Sequence, residues 1–430
     1  MIIAVFLAAF VTLLAVGVPI AFALALSGLA MAAMVPGMTA GTMVTLFVQR
    51  MFVGVDAFVL LAVPLFILAG ALMEEGGTAT RLVQLASALV GRVRGSLALV
   101  TVLTSMFFAG ISGSAVADTA AVGSVMIPAM RRKGYDPAFA AALQAGAGAL
   151  GPIIPPSILM VIYGVIANVS VASLFLGGFV PGILIGLGLM ALAYVHAVRR
   201  GYPSEAGVRA RELPRHVGRA LLPLLMPIII LGGILSGFFT PTESAAIAVI
   251  YALVIGFLVY RELPAAKIGR ILYTTGYGTA RVMFLIATAN FVAFLLAHQR
   301  LPQQVAEGLL ALSSEPAVIL LLLNVFFLIV GCFLEVSAAL IILGPVLVPV
   351  IQSVGIDPVH FGVVLIVNLC IGTITPPVGI CLYAVNAISG VSIGRISAAS
   401  LPVVGVMIAV LLFITYVPGA VLLVPRLFGY

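Results

Sequence analysis

Charge is what this chain has least of. Only 8% of its 430 residues are charged, against 63% hydrophobic, and the mean hydropathy is +1.32. Soluble domains carry about 25% charged residues, so the composition excludes a soluble fold and describes a polytopic membrane protein. The first charged residue is Arg50. No short apolar segment with a small-residue cleavage site stands apart at the start, so the chain is expected to open with a span and not with a removed signal. Cysteine is scarce too. Cys332, Cys370 and Cys381 all lie in apolar runs, match no metal-ligand spacing and read as small buried hydrophobes. No Walker-type phosphate loop appears, which leaves an ion gradient or a partner as the source of energy. The net charge of +7 comes without a basic stripe interleaved with aromatics, so nucleic acid is not the partner. The four histidines have no metal-ligand partner at helical spacing. No Ser–His or paired-Asp arrangement suggests an intramembrane hydrolase.

What the chain does have is a pair of helix breaks in the wrong solvent. Gly151-Pro152-Ile153-Ile154-Pro155-Pro156-Ser157 interrupts an apolar run from Pro137 to Ala167, and Gly372-Thr373-Ile374-Thr375-Pro376-Pro377-Val378 interrupts another in the second half. Unwound backbone in hydrocarbon persists only where protein or a water-filled cavity satisfies its N–H and C=O groups. Proline removes donors and glycine permits unusual dihedrals, so carbonyl oxygens are left over as ligands for a hard cation. Broken helices in matching positions of two halves mark the binding site of a transporter.

In chain order, residues 2–35 hold two short apolar helices or one broken at Gly17-Val18-Pro19, and Pro36 to Val55 reads as a loop. A span over about 57–73 follows, then an amphipathic helix over 78–90, too short and polar to cross a bilayer that needs about 20 apolar residues. Arg92 and Arg94 precede an apolar stretch and Arg131-Arg132-Lys133 follow it, with Ser112-Gly113-Ser114 in its middle. Basic flanks lie on the cytoplasmic side, so 95–130 is expected to be a re-entrant hairpin; the alternative is two ordinary spans joined by a periplasmic turn. The broken helix 137–167 and a span over about 173–198 come next, then a cytoplasmic loop, 199–219, with six arginines. Two spans (220–237 and 243–260), a span ending near His298, a second interfacial helix (302–312), a hairpin (316–351), a broken helix (358–389) and a final span (397–424) complete the expected order.

The halves repeat. Gly123-Ser-Val-Met-Ile-Pro128 corresponds to Gly344-Pro-Val-Leu-Val-Pro349, and Gly134-Tyr-Asp-Pro137 to Gly355-Ile-Asp-Pro358, each offset by 221 (344 − 123 and 355 − 134). The same offset carries Gly110 onto Gly331, Gly151 onto Gly372 and Pro155-Pro156 onto Pro376-Pro377. The first hairpin has basic flanks, whereas Gln303, Gln304, Glu307, Glu315, Gln352 and Asp357 surround the second, so the copies are expected to be inverted across the membrane. The fold class that follows is all-α and polytopic. Residues 1–198 and 220–430 form two inverted repeats, each with an interfacial helix, a re-entrant hairpin and a broken helix.

Over essentially its whole length the chain resembles the large membrane subunit of tripartite ATP-independent periplasmic (TRAP) transporters. The resemblance rests most on Gly110-Ile-Ser-Gly-Ser-Ala-Val-Ala117, Ile127-Pro-Ala-Met130, Gly151-Pro-Ile-Ile-Pro-Pro-Ser157 and Gly372-Thr-Ile-Thr-Pro-Pro377. It implies Na+-coupled symport of a small carboxylate across the bacterial inner membrane by an elevator mechanism. It also implies two partners: a small four-span membrane subunit, expected here as a separate polypeptide, and a periplasmic substrate-binding protein. A stand-alone sodium/divalent-anion carrier without a binding protein is the alternative.

Hydroxyls and carbonyls suit Na+ by the oxygen preference that governs other hard cations. The first sodium site is expected to use Ser112, Ser114 and the carbonyls of Gly151, Ile154 and Pro156. The second would use Gly331, Gly372, Thr375 and Val378. No Lys or Arg lies in either hairpin or near either break, so an anionic cargo would rely on half-helix N-termini, hydroxyls and bound Na+, with Ser157, Thr373 and Thr375 as donors. Asp118 and Glu335, the deepest carboxylates, are not repeat equivalents; either could tune a cation site or hold a hairpin tip by accepting backbone hydrogen bonds, and the structural role is preferred for both. The interfacial helices preceding the hairpins read as arms, and Gly76-Gly77 and Gly177-Gly178 as hinges.

Overall fold

The computed structural model describes residues 2–204, 213–313 and 315–430. The middle of the arginine-rich loop, 205–212, lies outside the described residues. Every regular element among the described residues is helical. Among the described residues six helices are long and apolar enough to cross a membrane, with eight shorter apolar helices beside them.

The repeat is visible helix by helix. The first hairpin is Ser96–Ser112 and Ala115–Arg132, and the second is Pro316–Gly331 and Val336–Ser353. Adding 221 to Ala115 and Arg132 gives the ends of the second hairpin's return helix, Val336 and Ser353. The broken helices are Pro137–Gly148 with Ile158–Ala167, and Pro358–Gly372 with Ile380–Ser389. Asp136 and Asp357 start them alike: each side chain accepts from the backbone N–H two residues on, with proline at the first helical position. The Pro155–Pro156 and Pro376–Pro377 peptide bonds are both cis.

The cap residues also explain a mismatch in the repeat. Ser114 and its equivalent Glu335 (114 + 221) both stand at the N-cap of their return helix, accepting from Ala117 and Ala338 N–H respectively. Their chemistry differs and their task is shared. Glu335 is exposed and also accepts from the Ser337 hydroxyl, so it is a capping group at the tip.

The core forms where the copies interlock. The return helix of the first hairpin packs on Pro137–Gly148 of its own copy and on Ile380–Ser389 of the other, while Val336–Ser353 packs on Ile158–Ala167. Pro137–Gly148 is buried from Ala138 onward and Pro358–Gly372 from His360 onward. Helices buried on every side are apolar all round, which accounts for the absence of charge there. A second set, Ile20–Ala33, Ala40–Val55, Ala62–Glu75, Pro241–Val254 and Ala265–His298, packs mainly with itself.

Two readings need correction. Residues 36–55 are not a loop throughout, because Ala40–Val55 is a helix whose N-cap Thr39 accepts from Thr42 N–H. Arg50 disguised it; the guanidinium lies 3.7 Å from the centroid of the Phe294 ring, so the charge is accommodated inside a helix packed on Ala265–His298. The final element is two helices, Ile393–Tyr416 and Gly419–Leu427, separated at Val417-Pro418. Proline cannot continue the helix hydrogen-bond ladder, and an apolar sequence on both sides hides the stop. The interfacial helices span Thr78–Val90 and Leu301–Leu312, close to expectation.

Candidate functional site

At the first junction the hairpin tip is pressed against the break. Gly113, at φ +62, turns the chain between the two hairpin helices. A Cβ there would stand 3.0 Å from the Pro156 carbonyl oxygen, so only glycine turns at this spot with the break so near. A Cβ on Gly151 would lie 2.7 Å from Asp118 Oδ2 and 2.7 Å from the Ser114 carbonyl oxygen. The helix Ala62–Glu75 approaches from the other side, where a Cβ on Gly70 would be 3.3 Å from Ser112 Cα.

Within this contact the Ser112 hydroxyl donates to Asp118 Oδ1, and Ser114 N–H donates to Ser112 Oγ at 3.1 Å. Asp118 is fully buried and its second oxygen, Oδ2, has no hydrogen-bond partner. That orphan oxygen faces Gly151 beside the Ser114 carbonyl. Buried polar atoms are nearly always satisfied, and a carboxylate oxygen has the most to lose when it is not. Gln144 sits behind it, donating to the Asp118 carbonyl oxygen at 3.2 Å, with its own Oε1 unpartnered. Ser112, Ser114, Gly151 and Pro156 thus lie together at this junction. Ile154 turns its side chain toward Gly182 of the helix Val171–Arg200. Sequence reasoning gave Asp118 a structural role and passed over Gln144. The signal for Gln144 was a polar residue in a run that is otherwise apolar, and for Asp118 the one charge inside the hairpin.

The second junction has the same skeleton with less on it. Gly331 and Gly372 meet backbone to backbone; a Cβ on Gly331 would be 3.3 Å from Gly372 Cα. Val378 N–H donates to the Cys332 carbonyl at 3.2 Å and Cys381 N–H to the Thr373 carbonyl at 3.0 Å. Thr373 and Thr375 donate to carbonyls of their own helix, Cys370 at 2.7 Å and Ile371 at 2.8 Å. Their oxygens keep lone pairs, but their protons are spent, so neither is the free donor to cargo that the sequence suggested. Ser157 is fully buried, its oxygen accepting from Met160 N–H as the cap of Ile158–Ala167. Pro376, Pro377 and Val378, in contrast, are exposed.

A polar ladder unforeseen in the sequence braces the second copy. Asn368 donates to the Asn324 carbonyl and side chain, each at 3.0 Å, and Asn324 donates to Thr415 Oγ1 at 3.0 Å. It joins the hairpin, the broken helix and Ile393–Tyr416. Hydrogen bonds between helices substitute for the hydrophobic drive that is missing in lipid. The three cysteines are free, with Cys370 and Cys381 buried. Among the described residues no cluster of His, Cys, Asp or Glu could hold a metal by itself.

Two hairpins facing two broken helices around an interlocked core define a membrane transporter of inverted-repeat architecture. The chain belongs to the family described as "Tripartite ATP-independent periplasmic transporter, DctM component", whose model matches residues 7–420. It is 42% identical to the isethionate TRAP transporter permease protein DctMQ of Oleidesulfovibrio alaskensis over 95% of this chain and 64% of that protein. It is also 42% identical to the C4-dicarboxylate TRAP transporter large permease protein DctM of Pseudomonas aeruginosa, covering 88% of this chain and 89% of that one. Identity to the sialic acid TRAP transporter large permease protein SiaM of Vibrio cholerae is 41%, over 97% of each. These relatives are permeases, not enzymes. The crystal structure of the Alcanivorax borkumensis YdaH transporter superposes with a TM-score of 0.64 over 93% of this chain and 96% of that one, at 16% identity; it shares the fold.

Proposed function

We propose that the chain imports a small organic acid across the bacterial inner membrane by Na+-coupled symport, with the hairpins and broken helices sliding as one body against the remaining helices. The observation that carries the ion coupling is the orphan Asp118 Oδ2 beside Gly151 and the Ser114 carbonyl. A cation placed there would satisfy the carboxylate, and the residues already converging on it (Ser112, Ser114, Gly151, Pro156) supply hydroxyl and carbonyl oxygens. Gly331, Gly372, Thr375 and Val378 are the matching candidates at the second junction. C4-dicarboxylate and sialic acid relatives make a carboxylate the reading for cargo, held without Lys or Arg by half-helix ends and bound Na+.

A soluble binding protein would deliver the cargo, and a small membrane subunit would complete the permease. The isethionate relative is longer than this chain by about a third of its own length, room for such a subunit in one polypeptide. Asp118 would travel buried within the body, whereas Glu335 stands exposed at the tip of the second hairpin, and the interfacial helices would link the body to the remaining helices.

The test is uptake into vesicles holding this chain, the small subunit and the binding protein. Asp118→Asn keeps the shape and the bond to Ser112 while removing the charge. It is expected to lower sodium-driven uptake more than tenfold, on the order of the loss when one of few charged ligands goes, with the purified protein still monodisperse. Unchanged sodium dependence would remove Asp118 from the coupling. Full uptake without any binding protein would favour the stand-alone carrier.

A further inference from the structure

The helix Ala265–His298 holds a charge that no carboxylate pairs with among the described residues. It has 34 residues, about 51 Å at 1.5 Å per residue. From Leu285 onward it is largely buried against Ile20–Ala33 and Ala40–Val55. Its middle is bare: Leu272, Tyr273 and Tyr277 are 53%, 74% and 61% exposed. Arg281 is exposed as well.

Two contacts fix the depth of Arg281. Lys267 pairs at 2.6 Å with Glu75, the last residue of the helix Ala62–Glu75. Gly54, just before the start of that span, lies against Asn290, where a Cβ would be 2.6 Å from the Asn290 Cβ. Arg281 stands between these levels, fourteen residues past Lys267 (281 − 267), about 21 Å along the axis. Among the described residues no carboxylate pairs with it. Its guanidinium lies 5.9 Å from the centroid of the Tyr277 ring. An unpaired guanidinium facing hydrocarbon is costly, and such groups face protein or water.

The surroundings of Arg281 fit a helix better than lipid. Tyr273, Gly276, Tyr277 and Ala280 recur at helical spacing, and Gly276 and Ala280 form a small pair four apart of the kind that lets membrane helices approach closely. A Cβ at Gly276 or Gly278 would meet nothing within 4 Å, so the space beside them is open. A second copy of this chain does not suit the charge. Of its 13 acidic residues, those in described helices stand in the end turns, except Glu307, which lies midway along the short interfacial helix Leu301–Leu312 and not in a span, and Asp118, which is buried. A two-fold axis through this face would also set Arg281 against Arg281.

We infer that the Tyr273–Arg281 face is the docking surface for the small membrane subunit, and that one of its spans carries an Asp or Glu at the depth of Arg281. This rests on the reading above that such a subunit exists. The experiment co-expresses the tagged chain with the four-span protein encoded beside it and measures recovery of that protein in mild detergent. Arg281→Glu is expected to cut recovery about tenfold, as when one partner of a desolvated charge pair is reversed. Reversing the subunit's own mid-span carboxylate to Arg in the same background restores it. Gly276→Leu, which keeps the charge and fills the gap, lowers recovery too. Undiminished recovery with both Arg281→Glu and Gly276→Leu overturns the face while leaving the partnership intact. A wild-type chain that purifies without the four-span protein overturns both. If Arg281→Glu strips only a tightly bound anionic lipid, seen by native mass spectrometry, the arginine serves a headgroup and the docking surface is wrong.

Discussion

The first junction buries Gly151, Pro152, Pro155, Pro156 and Ser157, whereas the second exposes Pro376, Pro377 and Val378. Both are built on the same Gly and Pro skeleton, so the difference comes from what stands next to them. In the helix Val171–Arg200, Gly178 lets the helix come so close that a Cβ would be 2.5 Å from the Ile153 carbonyl oxygen, and Gly182 makes room for the Ile154 side chain. Their equivalents in Ile393–Tyr416 are Ala399 and Val403 (178 + 221 and 182 + 221). Val403 reaches Gly146 of the first copy instead of its own break. The caps diverge as well: Ser157 closes the half-helix at the first break, while Gly379 starts the other with φ +50 and no side-chain cap. One junction is sealed and the other is open. An internal repeat therefore supplies symmetry of backbone and leaves function to the neighbours.

The strongest way to break this comparison is to unseal the first junction from outside it. Gly178→Ala places a methyl against a backbone oxygen that cannot rotate away, an overpacking cost of about 1–3 kcal/mol. Ala399→Gly only loses helix propensity, about 1 kcal/mol or less. Thermal melting of the purified protein should rank them in that order, with transport lost in the first variant and kept in the second. Equal effects would mean that the close approach at Gly178 does not hold the seal.

Accessibility sharpens the contrast directly. In a background lacking the three cysteines, Val378→Cys should react with a membrane-impermeant maleimide from one side, since Val378 is 39% exposed. Ser157→Cys, fully buried, should stay unlabelled until the protein is unfolded. Similar labelling of both would mean that the two junctions open alike. A gentler contrast follows for the hydroxyls. Ser112 bonds the Asp118 carboxylate, while Thr375 bonds its own helix at Ile371. Ser112→Ala should therefore raise the sodium concentration for half-maximal uptake several-fold, and Thr375→Ala by less than about twofold, the worth of one helix back-bond. The reverse order would place the coupling site at the second junction.

Much of this was legible in the sequence because the evidence was periodic or forbidden. A Gly-Pro and Pro-Pro cluster in an apolar run marks a break, whereas single prolines such as Pro181 and Pro402 sit inside continuous helices, and a 221-residue offset survives any substitution that keeps Gly and Pro. The breaks and the repeat followed from those signals, the first hairpin from its basic flanks and Ser-Gly-Ser turn, and the helix Thr78–Val90 from its length and polarity. Side-chain partnerships did not. That Ser112 finds Asp118 six residues on depends on the turn at Gly113, and that Asp118 leaves one oxygen free depends on how closely Gly151 approaches. Whether a lone Asn such as Asn324 is glue or ligand depends on Asn368 and Thr415, far away in sequence. Burial also escaped notice, because Ser157 and Thr375 look alike as letters.

The smallest effect expected concerns the two arms, which repeat the tight-and-loose contrast. Thr78–Val90 buries Leu82, Leu85 and Ala86, and its Arg81 donates to both oxygens of Glu262 at 2.7 and 3.0 Å, with the guanidinium 3.6 Å from the Tyr260 ring centroid. Leu301–Leu312 buries only Pro302, and among the described residues no ion pair ties it down. The hydrogen bonds from Arg81 hold the Glu262 carboxyl below the ordinary carboxylate range, outweighing a burial effect in the other direction. A carboxyl whose pKa is lowered by folding contributes stability above its unfolded value and loses that contribution as pH falls through its lowered folded value. Glu262 is half-exposed, at 49%, so the pair is screened and its worth is about 0.2–1 kcal/mol. Glu262→Gln should thus melt slightly below the parent at pH 7 in low salt, followed with a thiol-reactive dye. The gap should close in high salt, and again in acid below the lowered value, where the parent carboxyl is neutral as well. Glu307→Gln in the second arm should leave melting unchanged under every condition. A deficit for Glu262→Gln that persists in acid, or one of equal size for Glu307→Gln, would show that the first arm is held by packing alone and that the ion pair does not distinguish the two.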